Sequence, residues 1–400
     1  MIRKKSFFTR YTCLALITFI VAFSGALLAH STELQKKLHE FAHQMPKTQL
    51  HVHLEGSVAP DTIIEIAKRN HIKMPYKNKK QFYKQTKFSS FEDFVTFFKQ
   101  IMGVLKTPKD FTQIAYEYGK ESARNNICYS EVIFSLSSNC MASGLDWQTI
   151  VKAINIGRER AQKEFNISWN WIFDLTRTKF FQPEEFVDIL LKARKENYGL
   201  VAMGLSETLI TKQAPEFQTI FDKAHKANLP IIPHAGEFQG PVSIWNSLNY
   251  CNAPRLDHGV RCIEDAKLVQ KLAEQQTPLD ICVTSNVRLG VYPNYKQHPI
   301  RYLWDAGLCI NINTDDPGIF GIDLNHEYDL LIDTYRFTIE DLKKISLNGI
   351  TASLLPDKEK KELTQKFKDK FTKLRTQIFG RHQLRSGSPR FVSWIHPTYI

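Results

Sequence analysis

Short strand-like segments alternate with helix-like segments along most of this chain of 400 residues. The strand-like segments are the apolar run that ends at His53, Cys128–Phe134, Ser168–Leu175, Leu200–Leu205, Pro230–His234, Arg255–His258, Leu279–Thr284 and Leu308–Asp315. Alternation of this kind is typical of a parallel sheet whose strands are connected by helices, and eight units indicate that the sheet closes on itself. The pattern therefore predicts an α/β protein with a (β/α)8 TIM barrel.

Further helices are predicted outside this alternation. Residues 61–70 and 76–104 follow the first strand with helical patterns, and residues 328–379 at the other end are mostly helical and charged. We therefore expect a barrel with extra helices after strand 1 and at the C-terminus. An open doubly wound sheet is the alternative, but no Gly-x-Gly-x-x-Gly segment follows the first strand.

Both ends of the chain are expected to lie outside the barrel. A basic opening is followed by the uncharged apolar segment Tyr11–Ala29, which ends in small residues, as in a signal peptide. An uncleaved membrane anchor is the alternative, because about 19 apolar residues can span a bilayer. We expect a signal peptide at 1–29, the barrel at 30–380 and a basic tail at 381–400. The protein is expected to be exported, either periplasmic or secreted.

Charge and cysteine usage exclude some classes of partner and linkage. The net charge is +12, but no basic run interleaved with aromatic residues indicates a nucleic-acid partner. No membrane contact is expected apart from the N-terminal segment, and no feature indicates an oligomeric state. The seven cysteines form no Cys-x-x-Cys pair, so buried thiols are expected, with a Cys251–Cys262 bridge as the alternative.

Polar side chains that suit a metal site stand at the ends of four predicted strands. A barrel gathers the carboxyl ends of its strands at one mouth, where the active sites of this fold lie. A single histidine there is usually structural, but several at matching ends favour a metal site. Imidazole and carboxylate groups are zinc ligands, and four of them leave a position for water. The expected ligands of one Zn²⁺ per chain are His51, His53, His234 and Asp315.

Three more residues at these strand ends have the chemistry of a hydrolase. Glu237, three residues after His234, is placed to protonate a ring nitrogen of a substrate. His258 is the expected base, and Asp316 is expected to hold the nucleophile or a substrate N–H. A helix N-terminal carboxylate would explain Glu237 alone and a capped turn would explain Asp316 alone. Neither explains why they share one end of the barrel.

Five motifs in this order resemble the adenosine/adenine deaminase family of metal-dependent amidohydrolases. They are His-Val-His-Leu-Glu-Gly-Ser (51–57), His-Ala-Gly-Glu (234–237), Asp-His-Gly-Val (257–260), Thr-Ser-Asn (284–286) and Asn-Thr-Asp-Asp-Pro-Gly (313–318). The resemblance implies a (β/α)8 barrel with one zinc ion, and hydrolytic release of ammonia from C6 of a 6-aminopurine. It implies the same ligand and catalytic residues. No lysine ends the fourth strand, so a second catalytic metal is not implied.

The resemblance also implies a small purine substrate. Its implied contacts are His53, Glu55, Gly204, Phe94, Val95, Phe98 and Asp316, where the three apolar residues belong to a helix over the purine. Residues 284–286 and 313–316 resemble the nucleoside enzymes, so adenosine, converted to inosine, is the expected substrate. Glu55 and Asp257 resemble adenine and aminodeoxyfutalosine deaminases, which are the alternatives. A different metal-dependent amidohydrolase, a metal-buffering protein and a binding module remain the other classes.

Overall fold

Eight parallel strands form one sheet in which every strand pairs with its neighbour in sequence. The structure, a computed structural model, describes residues 33–176 and 180–380, without the side chains of residues 212 and 213. The strands are β1 (Lys47–Gln49), β2 (Ile127–Phe134), β3 (Ser168–Leu175), β4 (Leu200–Leu205), β5 (Ile231–Ala235), β6 (Leu256–His258), β7 (Leu279–Ile281) and β8 (Ile310–Ile312). The predicted (β/α)8 barrel is confirmed.

The barrel closes between β1 and β8 through hydrogen bonds just beyond the ends of these strands. The amide of His53 donates to the carbonyl of Asp315 at 2.9 Å, and the amide of Asp315 donates to the carbonyl of His51 at 3.2 Å. The amide of Leu50 donates instead to the side chain of Asn313 at 2.6 Å. The first and eighth strands are therefore shorter than predicted, because side chains replace part of the backbone ladder near the mouth.

Helices surround the sheet and fill the connections between strands. A helix over 33–44 (α1) precedes β1. The others are α2 (Pro60–Arg69), α3 (Lys79–Gln85), α4 (Phe91–Val104), α5 (Pro108–Arg124), α6 (Leu136–Ser143), α7 (Trp147–Phe165), α8 (Pro183–Lys195), α9 (Glu207–Gln213), α10 (Gln218–Lys226), α11 (Pro241–Tyr250), α12 (Ala266–Gln275), α13 (Val283–Arg288), α14 (Ile300–Asp305), α15 (Pro317–Phe320), α16 (Leu324–Asp333), α17 (Ile339–Ala352) and α18 (Asp357–Phe379). The extra helices after strand 1 and at the C-terminus are confirmed.

Two sequence-based boundaries are wrong for local reasons. The helical pattern over 76–104 is two helices, because Ser90 caps a new one: its side chain accepts a hydrogen bond from the amide of Asp93. The seventh strand ends at Ile281 rather than Thr284, since α13 begins at Val283. The Thr-Ser-Asn motif therefore lies on a short helix, which directs its side chains toward the barrel mouth.

The side chains inside the barrel change along its axis from a charged group to an apolar layer and then to the polar groups of the mouth. Near the start of the strands, the buried Arg255 is enclosed by acidic side chains, with Nη1 2.7 Å from Glu131 and Nε 2.6 Å from Asp280. Above it lies a layer of four apolar side chains, Ile133, Ile172, Ala202 and Ile232. The histidines and carboxylates of the mouth lie above that layer, because alternate residues of each strand point inward.

Close packing of α5 against α7 depends on a glycine, and this leads to a first prediction. A Cβ added at Gly157 would lie 2.3 Å from the carbonyl oxygen of Thr112, which is backbone and cannot move aside easily. We expect Gly157→Ala to lower the free energy of unfolding by about 1–3 kcal/mol. Gly103→Ala is the matched control, because nothing lies within 4 Å of the added atom. Alanine there should raise stability by about 0.5–1 kcal/mol. Urea denaturation curves measure both, and equal effects would contradict this account.

Among the described residues, no helix combines the length and the apolar character needed to cross a membrane. The predicted signal peptide at 1–29 and the predicted tail at 381–400 lie outside the described residues. The six described cysteines are free thiols, and five of them are buried. The alternative of a Cys251–Cys262 bridge is therefore wrong, and the prediction of buried thiols holds for these five.

Candidate metal and catalytic site

Four predicted ligand side chains converge on one point at the mouth of the barrel. Nε2 of His51 and Nε2 of His53 lie 3.1 and 3.3 Å from the same oxygen of Asp315, and Nε2 of His53 lies 3.2 Å from Nε2 of His234. Ligands about 2.0–2.1 Å from a zinc ion in a tetrahedron are about 3.3 Å from one another. These three spacings fit ligands of a single metal ion of that size, and the donor atoms of His51, His53 and Asp315 lie within 4.8 Å of one another.

A buried carboxylate lies behind the candidate ligands and faces the Nδ1 atoms of two histidines. Asp257 lies 2.8 Å from Nδ1 of His51 through one oxygen and 3.6 Å from Nδ1 of His234 through the other. Placing the ring protons on Nδ1 leaves both Nε2 lone pairs facing the metal position. Burial opposes ionisation of Asp257, but the neighbouring His51 ring outweighs it and keeps the pKa of this carboxyl low. From sequence, Asp257 was noted only for its resemblance to adenine and aminodeoxyfutalosine deaminases. Its position behind the two histidines was not predicted.

Asp315 is held in a strained position that aims its carboxylate at the histidines. Its backbone has a φ of 63°, in the left-handed region that non-glycine residues rarely adopt. The hydroxyl of Ser285 on α13 donates to its second oxygen at 2.6 Å. Burial raises the pKa of Asp315, but the charge of His51 and its hydrogen bond outweigh this and lower the pKa well below its usual value. The ionised form is the one that binds a cation.

Glu237 stands beside this cluster on a turn that another acid supports. The backbone amides of Glu237, Phe238 and Gln239 donate to the carboxylate of Glu207 at 2.9, 2.7 and 3.2 Å. Burial, and then the negative charges of Asp315 and Glu207, raise the pKa of Glu237 well above its usual value. This shift favours the protonated form of Glu237, which is the form able to donate a proton. Glu207 was not predicted from sequence, because its role depends on contact with the backbone of Glu237, 30 residues later in the chain.

His258 lies between Glu237 and the ligand cluster. Its Nε2 is 3.6 Å from Glu237 and 3.9 Å from Asp315, while its Nδ1 is 3.3 Å from the amide nitrogen of Asn286. Burial and the nearby His51 lower the pKa of His258 well below its usual value. Because the side-chain amide nitrogen of Asn286 can only donate to Nδ1, the neutral ring carries its proton on Nε2 and can donate a hydrogen bond toward Glu237 and the ligand cluster. The His258 backbone φ of 66° is left-handed like that of Asp315, so the backbone is strained at the ends of both β6 and β8.

Asp316 faces the cavity because Gly56 leaves room for it. A Cβ added at Gly56 would lie 1.6 Å from Oδ1 of Asp316, so any larger residue would displace this carboxyl. Oδ1 is buried without a hydrogen-bond partner among the described residues. Burial and the adjacent Asp315 raise the pKa of Asp316 well above its usual value. The group is therefore available for a hydrogen bond to a ligand in the cavity.

These groups form the floor of a cavity of about 900 Å³. One wall is the face of α4, and Phe91 packs across the opening against Phe238 with ring centroids 4.5 Å apart. The floor and the apolar wall consist of His53, His234, Glu237, His258, Asp315, Asp316, Phe91, Phe94, Val95 and Phe98. This combination of apolar walls and a few convergent polar groups is typical of a small-molecule site. His51 lies behind the floor and is fully buried.

Two of the predicted substrate contacts do not line this cavity. Glu55 is fully buried, and one of its oxygens accepts hydrogen bonds from the amide of Ser135 at 2.9 Å and the side chain of Asn139 at 2.6 Å. Gly204 lies against Asp174, whose carboxylate occupies the space where a Cβ would be, at 1.9 Å. Asp174 lines the cavity in its place, a role that its position on β3 did not reveal from sequence.

Comparison of the sequence with known proteins agrees with this site. The model of the adenosine deaminase family matches residues 46–370. An adenine deaminase of Wolinella succinogenes is 32% identical over 323 residues, which cover 81% of this chain and 97% of that protein. An aminodeoxyfutalosine deaminase of Streptomyces avermitilis is also 32% identical, over 80% of this chain and 89% of that protein.

Comparison of the fold with solved structures gives the same result. The adenine deaminase from Arthrobacter aurescens superposes with a TM-score of 0.76 and 26% identity, covering 81% of this chain and 98% of that one. An amidohydrolase from Burkholderia ambifaria with bound zinc superposes with a TM-score of 0.77 and 26% identity, covering 86% of this chain and 95% of that one.

Proposed function

Because this chain belongs to the adenosine deaminase family and is a hydrolase of C–N bonds, we propose that it removes the 6-amino group of a purine as ammonia. The observation that carries the proposal is the floor of the cavity. At this floor the four proposed metal ligands lie beside a buried acid, Glu237, and a neutral imidazole, His258. The Glu237 carboxyl and the His258 ring are 3.6 Å apart. A metal-buffering protein or a binding module needs no such pair. The substrate of an amide or ester hydrolase has no ring nitrogen to protonate, so that reaction would not specially require a carboxylic acid at Glu237.

We propose zinc as the metal, held by His51, His53, His234 and Asp315. Three imidazoles and one carboxylate suit zinc better than the oxygen-preferring Mg²⁺ or Ca²⁺. A zinc ion in such a site lowers the pKa of water and so favours attack by hydroxide on carbon. The protein would supply the ligand geometry and a carboxylate behind two of the ligands.

The remaining polar groups have complementary roles in proton transfer. Glu237 donates a proton to N1 of the purine, which makes C6 more electrophilic. His258 orients the attacking water, because Asn286 donates to its Nδ1 and the ring proton on Nε2 faces the floor of the cavity. Asp316 accepts a hydrogen bond from the substrate or the attacking water.

One C–O bond forms at C6 while the attacking water gives one proton to Asp316. The C6–N bond then breaks, and the departing amine takes up that proton to leave as ammonia. The proton that remains on the C6 oxygen passes to the Glu237 carboxylate, so the product is the 6-oxopurine and the acid is restored.

We propose adenosine as the preferred substrate, on the basis of the cavity size. At about 900 Å³ the cavity is near the upper end of pockets that bind drug-sized ligands, about 300–1,000 Å³. It leaves room beside a purine for a substituent on N9. Adenine is the second candidate. Glu55 bonds to Ser135 and Asn139 and is unavailable to a ribose, and the similar Wolinella protein is named an adenine deaminase.

A direct comparison of substrates tests this proposal. The zinc-loaded full chain is incubated separately with adenosine, deoxyadenosine, adenine and aminodeoxyfutalosine, and kcat/KM is measured from the ultraviolet change at C6. We expect the highest value for adenosine. A higher value for adenine or aminodeoxyfutalosine would overturn the choice of adenosine but not the 6-aminopurine class. No turnover of any of the four would overturn the class itself.

Asp257 provides a prediction that does not depend on turnover. Asp257→Asn removes the charge that faces His51 and His234 and permits the other ring tautomers. We expect zinc affinity to fall about 10–100-fold, as is usual when a carboxylate behind a metal ligand is lost. Competition with a zinc chelator measures the affinity, and melting curves in excess chelator check that the apoprotein still folds. Unchanged affinity in a folded variant would show that Asp257 does not orient the ligands.

A further inference from the structure

A second cluster of histidine and aspartate side chains lies between α1 and α16. His39 and His43 are one turn apart on α1, and Asp329 and Asp333 are one turn apart on α16. Nδ1 of His39 and Nε2 of His43 lie 2.5 and 2.8 Å from the same oxygen of Asp329. Nε2 of His39 lies 2.9 Å from Asp333. Two helix faces thus present their metal-binding side chains to one another.

The contacts of His39 require positive charge at this place, either on the imidazole ring itself or on a bound metal ion. A neutral imidazole has one N–H and one lone pair, yet both nitrogens of His39 face carboxylate oxygens. One of them would then direct a lone pair at an oxygen lone pair. Either a second ring proton or a metal ion removes this conflict. The second imidazole, His43, points at the same Asp329 oxygen and so adds another donor to the same position.

We propose that His39, His43 and Asp329 bind a divalent transition metal ion of the zinc class. The ligands are Nδ1 of His39, Nε2 of His43 and the carboxylate of Asp329, whose ligand atoms lie within 4.8 Å of one another. The Asp329 oxygen, now 2.5 and 2.8 Å from these nitrogens, would withdraw by about 0.5–0.8 Å to reach the spacing of zinc ligands. Asp333, at the far nitrogen of His39, orients that ring as carboxylates do behind metal-bound histidines. Two imidazoles and a carboxylate suit zinc, nickel or copper better than magnesium or calcium.

The site is accessible to ions and separate from the cavity. Its four side chains are between 26% and 48% exposed, so water can complete the coordination. The carbonyl of His43 accepts a hydrogen bond from the Lys47 ammonium, which places the cluster beside the start of β1. His51 and His53 lie beyond the other end of that strand. A metal ion here would bridge α1 and α16, and its role would be structural.

Metal content of the full chain tests the proposal independently of activity. Wild type and the double variant His39→Gln/His43→Gln are dialysed against the same low concentration of zinc chloride, and bound zinc is counted by mass spectrometry. We expect the double variant to bind one zinc ion fewer than wild type. His71→Asn is the matched control, because His71 is exposed and asparagine tolerates its φ of 55°. This control should bind as much zinc as wild type.

The single variant His43→Gln distinguishes loss of a metal ligand from a general loss of structure. It leaves His39 between Asp329 and Asp333, so the contact of α1 with α16 is kept while one ligand is lost. We expect at least a tenfold weaker affinity for the second zinc ion, with a melting temperature in chelator equal to that of wild type. Equal zinc content in wild type and the double variant would overturn the proposal and leave a protonated His39 in its place. Loss of the same zinc ion in His71→Asn would also overturn it.

Discussion

Replacing Glu237 by glutamine is expected to lower kcat by about 10²–10⁴-fold, the usual contribution of a positioned general acid. Glutamine has nearly the same shape as glutamic acid but cannot give a carboxylic proton to N1 of the purine. The backbone amide of residue 237 still donates to Glu207, so the turn that positions the side chain is retained. Zinc content and the melting temperature should stay at wild-type values, because Glu237 is not among the four proposed ligands. Steady-state kinetics with adenosine measure the loss.

Glu92 is a suitable control for this variant. It lines the rim of the same cavity from α4 but is exposed and does not contact the floor. Glu92→Gln should therefore change kcat less than twofold, which corresponds to about 0.4 kcal/mol in the barrier. If Glu237→Gln retained wild-type turnover with zinc bound, the proposed proton transfer to N1 would be wrong. Loss of zinc from that variant would instead place Glu237 among the ligands.

Replacing Arg255 by methionine is expected to lower the free energy of unfolding by about 3–5 kcal/mol, because it leaves buried carboxylates without their cation. Arg255 is fully buried with Glu131 and Asp280 at 2.7 and 2.6 Å. It also donates to the carbonyl oxygen of Ala352 at 3.1 Å, so its loss removes a hydrogen bond between the barrel interior and α17. Urea denaturation of the zinc-free protein measures the change without a contribution from the metal.

Two further variants separate loss of charge balance from loss of packing. Arg255→Met combined with Glu131→Gln and Asp280→Asn removes all three charges, and we expect it to recover part of the lost stability. Arg124→Met removes an arginine that is 63% exposed and pairs with Glu121, so it should change stability by at most about 0.5 kcal/mol. An equally small effect of Arg255→Met would contradict the account of a charge network enclosed in the barrel.

The barrel, and the convergence of the proposed ligand side chains at its mouth, were predictable from sequence because their signals are local. His51 and His53 are separated by one residue, and the apolar runs before each polar strand end are visible without any tertiary knowledge. A parallel barrel then dictates that the strand ends meet. Strand boundaries were less accurate at β1, β7 and β8, since Asn313 and α13 replace strand pairing near the mouth.

The supporting residues were not predictable because each depends on a contact far away in sequence. Glu207 is recognisable only when the amides of residues 237–239 are seen to donate to it. Glu55 was expected to contact the substrate, but one of its oxygens accepts hydrogen bonds from Ser135 and Asn139, about 80 residues later, and its side chain does not line the cavity. The contact of His39 with Asp329 spans 290 residues. Periodicity and motif spacing carry no information about such pairs.

Turnover of adenosine in water enriched in ¹⁸O tests the central proposal, hydrolytic loss of the 6-amino group, most directly. Ammonia and the purine product are quantified together, and the oxygen isotope in the product is read by mass spectrometry. We expect one ammonia per purine product and one ¹⁸O atom at C6 of inosine, because the oxygen comes from water. Ammonia without ¹⁸O at C6, or a product cleaved elsewhere in the nucleoside, would contradict the proposed reaction.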